Sequence, residues 1–154
     1  MTWSQLRKNA REFLCPVLAK RIDYHLTSYH RDQSESGEDR RYLGRGWITL
    51  DGEEIANFSG KAVHLQSEGH QAEEGDRQDL YEAIKIYPQL SIDEALSSAS
   101  PVIQGMALFD RRVGKKRLAK YALEGRPPFV ERCFQIRCEA EGLELRPESS
   151  SPRT

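Results

Sequence analysis

The acid/base chemistry on offer in this sequence sits in one alternating stretch, Arg21-Ile22-Asp23-Tyr24-His25-Leu26-Thr27-Ser28-Tyr29-His30. Period-two alternation with aromatic content predicts a strand over 21–30. Ile22, Tyr24 and Leu26 then point one way, and Asp23, His25, Thr27 and Tyr29 the other. Residues two apart on a strand project to the same side about 6.6 Å apart, at about 3.3 Å per residue. A carboxylate so placed can orient or charge an imidazole, as general acid/base chemistry requires, which makes Asp23, His25 and Tyr29 the candidate catalytic residues. A sheet face facing water also carries polar residues with no chemistry attached. No serine or cysteine is recognisably placed beside these three as a nucleophile.

A second chemistry is electrostatic. Residues 105–126 hold seven basic and two acidic residues, whereas residues 51–86 hold nine acidic and three basic ones. The basic set centres on the segment DRRVGKKRLAK, with Arg126 beyond it. Arg111, Arg112, Lys115, Lys116, Arg117 and Lys120 are the candidate anion- or partner-binding residues. Such groups grip phosphates and add a salt-dependent term to binding. A helix over 115–123 would also start there, and a helix N-terminus favours anions. The same residues have structural uses. They complement the dipole at the end of a helix over 101–112, or they pair with the acidic stretch in the same molecule or in a second copy. Tyr121 lies beside the segment, but aromatics are not interleaved with it, which argues against single-strand base stacking. Gly114-Lys115 lacks the first glycine and the preceding strand of a phosphate-binding P-loop.

Metal and redox chemistry find little support. His25 and His30 are five apart and face opposite sides of a strand. With His64 and His70 they form no His-x-x-x-His pair, and Cys-x-x-Cys is absent. Cys133 and Cys138 are separated by roughly 140° around a helix axis at 3.6 residues per turn. With Cys15 they read as reduced, buried thiols of a cytosolic protein. No metal and no cofactor is expected.

The elements that must position these residues follow from periodicity and punctuation. Leu6, Ala10, Phe13, Leu14, Val17 and Leu18 predict a helix over 3–20, broken at Pro16. Residues 31–42 read as a polar loop. GRGWITL and EEIANFS flank Asp51-Gly52, the signature of a type I′ hairpin. That hairpin sets Ile48 opposite Ile55 and Trp47 opposite Ala56. Residues 61–65 are a candidate fourth strand, and 74–87 a helix ended by Pro88. Ser91-x-x-Glu94 is a capping box, and Ser100-Pro101 opens a helix with Val102, Ile103, Met106 and Phe109 as its apolar stripe. Gly114 is expected to end it in the left-handed region. After Pro127-Pro128 a last helix, lined by Phe129, Val130, Cys133, Phe134 and Arg137, stops at Gly142. The fold class is α+β: an N-terminal helix, a small antiparallel sheet of three or four strands and a C-terminal cluster of helices. It forms one domain over 1–144, with a disordered tail over 145–154.

With 154 residues, 31% of them charged, and a net charge of −1, the whole chain is not a nucleic-acid or membrane binder by bulk electrostatics; any such role needs local clustering. No run of about 18 apolar residues is present to span a membrane. The N-terminus lacks the apolar stretch of a secretion signal, and a cytoplasmic protein is expected. Trp47-Ile48-Thr49-Leu50-Asp51-Gly52 and Asp110-Arg111-Arg112-Val113-Gly114-Lys115-Lys116-Arg117-Leu118 together resemble a family of small bacterial proteins with no assigned function. The resemblance runs from the first helix to the last. It implies a bacterial, cytosolic, single-domain protein and transfers no site residues. Three functions are therefore in view: a non-enzymatic protein-interaction or self-associating protein, a nucleic-acid or phosphate-ligand binder acting through 111–120, and an enzyme using the acid/base pair on strand 21–30.

Overall fold

A computed structural model describes residues 2–27, 44–59 and 73–143. The chain opens with helix α1 (Trp3–Arg11), fixed by a capping box in which the Thr2 hydroxyl accepts from the Gln5 N–H and the Gln5 side chain accepts from the Thr2 N–H. Leu6 and Ala10 are its buried residues. The helix expected over 3–20 stops at Arg11, well before Pro16, and residues 12–21 run mainly as turns. A tertiary pairing replaces it. Leu14 forms an antiparallel bridge with Asp110, the Cys15 N–H donates to the Phe109 carbonyl at 2.8 Å, and the Arg111 N–H donates to the Phe13 carbonyl at 2.8 Å. Those bonds hold Phe13, Leu14 and Cys15 against a distant segment, out of reach of a continuing helix.

The sheet carries four strands in the order β1 (Ile22–Thr27), β2 (Arg45–Leu50), β3 (Glu53–Ser59) and β4 (Glu73–Gly75). The first three run antiparallel, and β4 runs parallel to β3. The fourth strand expected at 61–65 lies outside the described residues, as do the loop at 31–42 and the tail at 145–154. The hairpin turns where the sequence says, with φ of 55° at Asp51 and 86° at Gly52, the positive values that a type I′ turn needs at both centres. The Asp51 N–H donates to the Arg21 carbonyl at 2.8 Å, and the Arg21 guanidinium returns to the Asp51 carboxylate at 2.8 Å.

The expected register fails two residues beyond the turn. Leu50 faces Glu53 and Thr49 faces Glu54, but Ile48 faces Ala56 and Trp47 faces Asn57. Ile55 is an extra residue, a β-bulge. The reason lies in the alternation of Ile55-Ala56-Asn57-Phe58. Without the bulge Phe58 would point away from the face that Ile48 occupies. With it, Tyr24, Ile48, Ala56 and Phe58 are all at most 2% exposed. The Ile55 carbonyl accepts from the Arg132 guanidinium at 2.8 Å.

Helices cover the inner face. Helix α2 (Arg77–Ile86) opens on a capping box of Asp76 and Asp79 and buries Leu80, Ala83 and Ile84. It packs on β2 where Gly46 leaves room: a Cβ there would lie 2.7 Å from Leu80 Cδ2. A 3₁₀ turn (Tyr87–Gln89) containing Pro88 ends it. Helix α3 (Ile92–Leu96) opens on the expected Ser91/Glu94 box.

Helix α4 (Pro101–Leu108) opens on the expected Ser100 cap but differs in its packing. Every residue from Val102 to Leu108 is buried, so no single stripe exists; a helix apolar on all sides belongs in the centre. The helix also ends at Leu108 rather than 112, so no basic residue sits in its last turn. Gly114, at φ −91°, does not adopt the left-handed cap; it is the N-cap of helix α5 (Lys115–Ala119), itself shorter than the expected 115–123. Helix α6 (Pro128–Ala140) ends as expected, with Gly142 at φ 75° and the Leu143 N–H bonding the Cys138 carbonyl at 2.8 Å. Cys15, Cys133 and Cys138 are buried and form no disulfide with one another.

Two buried charges tie the helices together. Asp110, 1% exposed, accepts from the Tyr87 hydroxyl at 2.5 Å, the Arg112 backbone N–H at 2.8 Å and the Arg112 guanidinium at 2.8 and 3.0 Å. Burial, and then the adjoining carboxylate, push the Tyr87 phenol far above its ordinary value. Arg137, 2% exposed, donates to the carbonyls of Leu108 at 2.8 Å, Asp110 at 2.9 Å and Val113, and to the Glu141 carboxylate at 2.8 Å. Replacing Arg137 by Met leaves those acceptors buried and bare. Denaturant unfolding should show a loss of about 3–5 kcal/mol, the range for breaking a buried ion pair.

Helices α4 and α6 touch at Gly105, where a Cβ would lie 2.5 Å from Phe129 Cε2 and 2.9 Å from Cys133 Sγ. Helix propensity alone favours Gly105→Ala by about 1 kcal/mol, whereas overpacking costs about 1–3 kcal/mol. Thermal unfolding of this variant should show a net destabilisation; a raised midpoint would contradict the close contact.

Candidate functional site

The outer face of β1–β3 carries the candidate acid/base residues. Asp23, His25 and Thr27 alternate with the buried Ile22 and Tyr24, as the pattern predicts. Asp23 and His25 do share this face, but they take different partners. The Asp23 carboxylate accepts a two-point bond from Arg7, Nε to Oδ1 at 2.8 Å and a second nitrogen to Oδ2, and Oδ1 also accepts from the Tyr24 N–H at 2.8 Å. Arg11 Nε stands 3.6 Å from the same Oδ1. Burial acts to raise the Asp23 pKa, but the Arg7 hydrogen bond, the Tyr24 N–H and the two guanidinium charges outweigh it and hold the carboxyl below its usual range. It is an ion-pair anchor and a poor base.

His25 Nε2 lies 3.0 Å from the Thr49 hydroxyl, and its ring stacks on Trp47 at 5.0 Å between centroids. The Arg45 guanidinium lies 4.4 Å from the centre of the same indole. Arg45 also donates to Asn57 Oδ1 at 3.1 Å and pairs with Glu54 at 2.5 Å. Burial lowers the His25 pKa; Asp23 opposes this, while Arg7, Arg11 and Arg45 reinforce it. The surroundings therefore favour the neutral imidazole. Tyr29 lies outside the described residues. The face forms a packed polar layer: Thr49, Asn57 and Ser59 are each under 8% exposed.

The structure divides the basic segment by residue type. Its arginines are engaged. Arg112 clasps the buried Asp110, donates to the Leu90 carbonyl at 3.3 Å and lies 4.6 Å from the centre of the Phe13 ring. Arg111 donates to the Glu12 carbonyl at 3.1 Å, and Arg117 pairs with Asp93. Farther on, Arg126 donates to the buried Gln104 side chain at 2.8 Å and lies 4.8 Å from the Tyr121 ring centre. The lysines point outward. Lys115, Lys116 and Lys120 are exposed, and no ion pair reaches them among the described residues. The planar guanidinium suits buried carbonyls and carboxylates, whereas the strongly hydrated ammonium stays in water.

Neither of two described concave surfaces is lined by residues 111–120. A groove of about 440 Å³ runs between α2 and α4, with Ala83, Val102 and Ile103 in its floor and Asp79 and Glu82 on its rim. Ile86, 43% exposed, stands beside them. A shallower depression of about 260 Å³ lies on α1 among Ser4, Arg7, Lys8, Arg11 and Glu12. Sequence reasoning missed the α1 basic residues, although Ser4, Arg7, Lys8 and Arg11 keep the i, i+3, i+4, i+7 spacing of one helix face. Among the described residues no group of three or more His, Cys, Asp or Glu side chains is arranged to hold a metal ion, and no helix is long and apolar enough to cross a membrane.

A family model described as the SF0329 protein family matches residues 2–77 and 64–138, and so most of the chain. No curated protein and no solved structure matches it.

The environment of His25 has a pH consequence. Its pKa in the folded protein lies below the ordinary 6.5, so the unfolded chain binds the proton more readily. Stability from this residue is fully present above about pH 6.5 and is lost as pH falls through the lower folded value. Melting temperatures followed from pH 7.5 downward should fall in that window for the wild type and stay flatter for His25→Gln. Equal slopes would show that the folded surroundings do not lower the His25 pKa.

Proposed function

The chain belongs to the SF0329 protein family, and for this member of it we propose a non-enzymatic role as a self-associating interaction protein of the bacterial cytoplasm, formed as one domain over 1–144. The observation that carries this reading is the division within the basic segment. Its arginines hold the fold together, while Lys115, Lys116 and Lys120 are left in solvent without a counter-ion among the described residues. The groove between α2 and α4 offers the complementary chemistry, an apolar floor under Asp79 and Glu82 with Ile86 half-exposed. Lysines of one copy opposite these carboxylates on another give a head-to-tail contact, set by electrostatic complementarity and weakened by salt.

Acid/base catalysis is less well supported, because Asp23 is bound by Arg7 and His25 by Thr49. Single-strand nucleic-acid binding is also less well supported, because Tyr121, the aromatic beside the basic segment, stacks on Phe134 at 5.7 Å, and Trp47 is held by His25 and Arg45. Buried reduced thiols suit a cytoplasmic setting.

Light scattering at low salt and at about 1 M salt, where the Debye length is about 3 Å, tests the reading. Self-association should appear at low salt and fall away at high salt. The Lys115→Glu/Lys116→Glu variant and the Glu82→Lys variant should each be monomeric, and mixing the two should restore a complex. A wild type that stays monomeric at both salt concentrations, or a mixture that stays monomeric, would overturn it.

A further inference from the structure

We propose that the basic face of α1 is a binding site for a phosphate monoester, held by Arg7, Lys8 and Arg11 with the Ser4 hydroxyl. All four residues line the same depression of about 260 Å³, a volume larger than a lone phosphate group needs. The inference is independent of self-association through α5.

Three observations carry it. The first is arrangement. Ser4, Arg7, Lys8 and Arg11 follow one helix face, and a single carboxylate, Asp23, serves the like-charged i, i+4 pair of Arg7 and Arg11. The second is orientation. Asp23 grips Arg7 at two points and is itself steadied by the Tyr24 N–H. A carboxylate behind a guanidinium fixes its plane and leaves its remaining N–H groups for a ligand in front, as two-point recognition of phosphate oxygens requires. The third is incomplete neutralisation. Asp23 hydrogen-bonds Arg7 but stands 3.6 Å from Arg11 Nε, which is buried and makes no hydrogen bond, while the Arg11 side chain as a whole is 37% exposed. An anion in the depression meets both arginines and Lys8, three cations against Glu12 in the lining and against Asp23, which the arginines already hold. Glu12 on the rim opposes the ligand's charge, so it keeps the site weak and selects against extended polyanions.

Titration calorimetry at low salt, with inorganic phosphate and with glycerol phosphate as probes, tests the proposal. Saturable binding with one site per chain is expected, at least as tight for the ester. Arg11→Gln should weaken it tenfold or more, Lys8→Gln severalfold, and Glu12→Gln should tighten it severalfold. Lys8 is exposed, so its variant reads out binding even if Arg11→Gln proves unstable by circular dichroism. Lys115→Glu/Lys116→Glu should bind as the wild type does. Absence of saturable binding to either probe, affinity that Lys8→Gln leaves unchanged, or loss of binding in the α5 variant would each overturn the proposal. So would binding of an oligonucleotide without binding of phosphate, which would mark general cationic attraction.

Discussion

The carboxylate of Asp110 has no exposed side-chain surface, and a charge so placed must be bonded on every side. Meeting that demand organises the C-terminal half of the molecule. Tyr87 reaches it from the turn after α2, and Arg112 folds back onto it. Arg137 on α6 stitches the carbonyls of Leu108, Asp110 and Val113 that follow the central helix. The segment between α4 and α5 cannot then be an ordinary loop. Its position is dictated by Tyr87 and Arg137 from two other elements and by its own Arg112, and these charges are internal to the fold. Such a network is costly to break and need not exceed an apolar core in stability. What it supplies is a single geometry.

That constraint also explains which basic residues remain for binding. Arg111, Arg112, Arg117 and Arg126 each have an acceptor within the chain. Lys115 and Lys116 ride on the short α5, anchored by the buried Leu118, and Lys120 is its C-cap. The α1 face is built on the opposite principle, with two guanidiniums competing for one carboxylate. One surface therefore presents solvated point charges, suited to long-range attraction, and the other presents oriented donors, suited to a compact anion.

Much of the fold was legible because its punctuation is local. Asp51-Gly52 dictates its turn, and Ser91, Ser100 and Gly142 mark helix ends through hydrogen bonds made within a few residues. What was not legible depends on partners far along the chain. The bulge at Ile55 arises because Phe58 must share a face with Ile48, and no rule of alternation within β3 alone reveals that. Helix α4 has an apolar stripe on paper and burial on every side in fact, because α2, α3 and α6 pack around it. The second half of the N-terminal helix pattern was real as apolar spacing but was claimed by the bridge to Asp110. For the site, the faces of Asp23 and His25 could be read from the sequence; that Arg7 and Thr49 would take them apart could not, since both partners come from other elements.

The bridge between Leu14 and Asp110 joins the beginning of the chain to its last third. During synthesis the ribosome delivers α1 and the turns after it long before residue 110 exists. Leu14, Cys15 and Leu18, almost fully buried in the finished protein, must wait without the backbone that pairs with them. Contacts of such sequence separation form late and slow a fold, because a long loop must close before they are rewarded. The docking of Leu14 and Cys15 on the segment at 109–111 is thus the closure of largest loop length in this part of the fold.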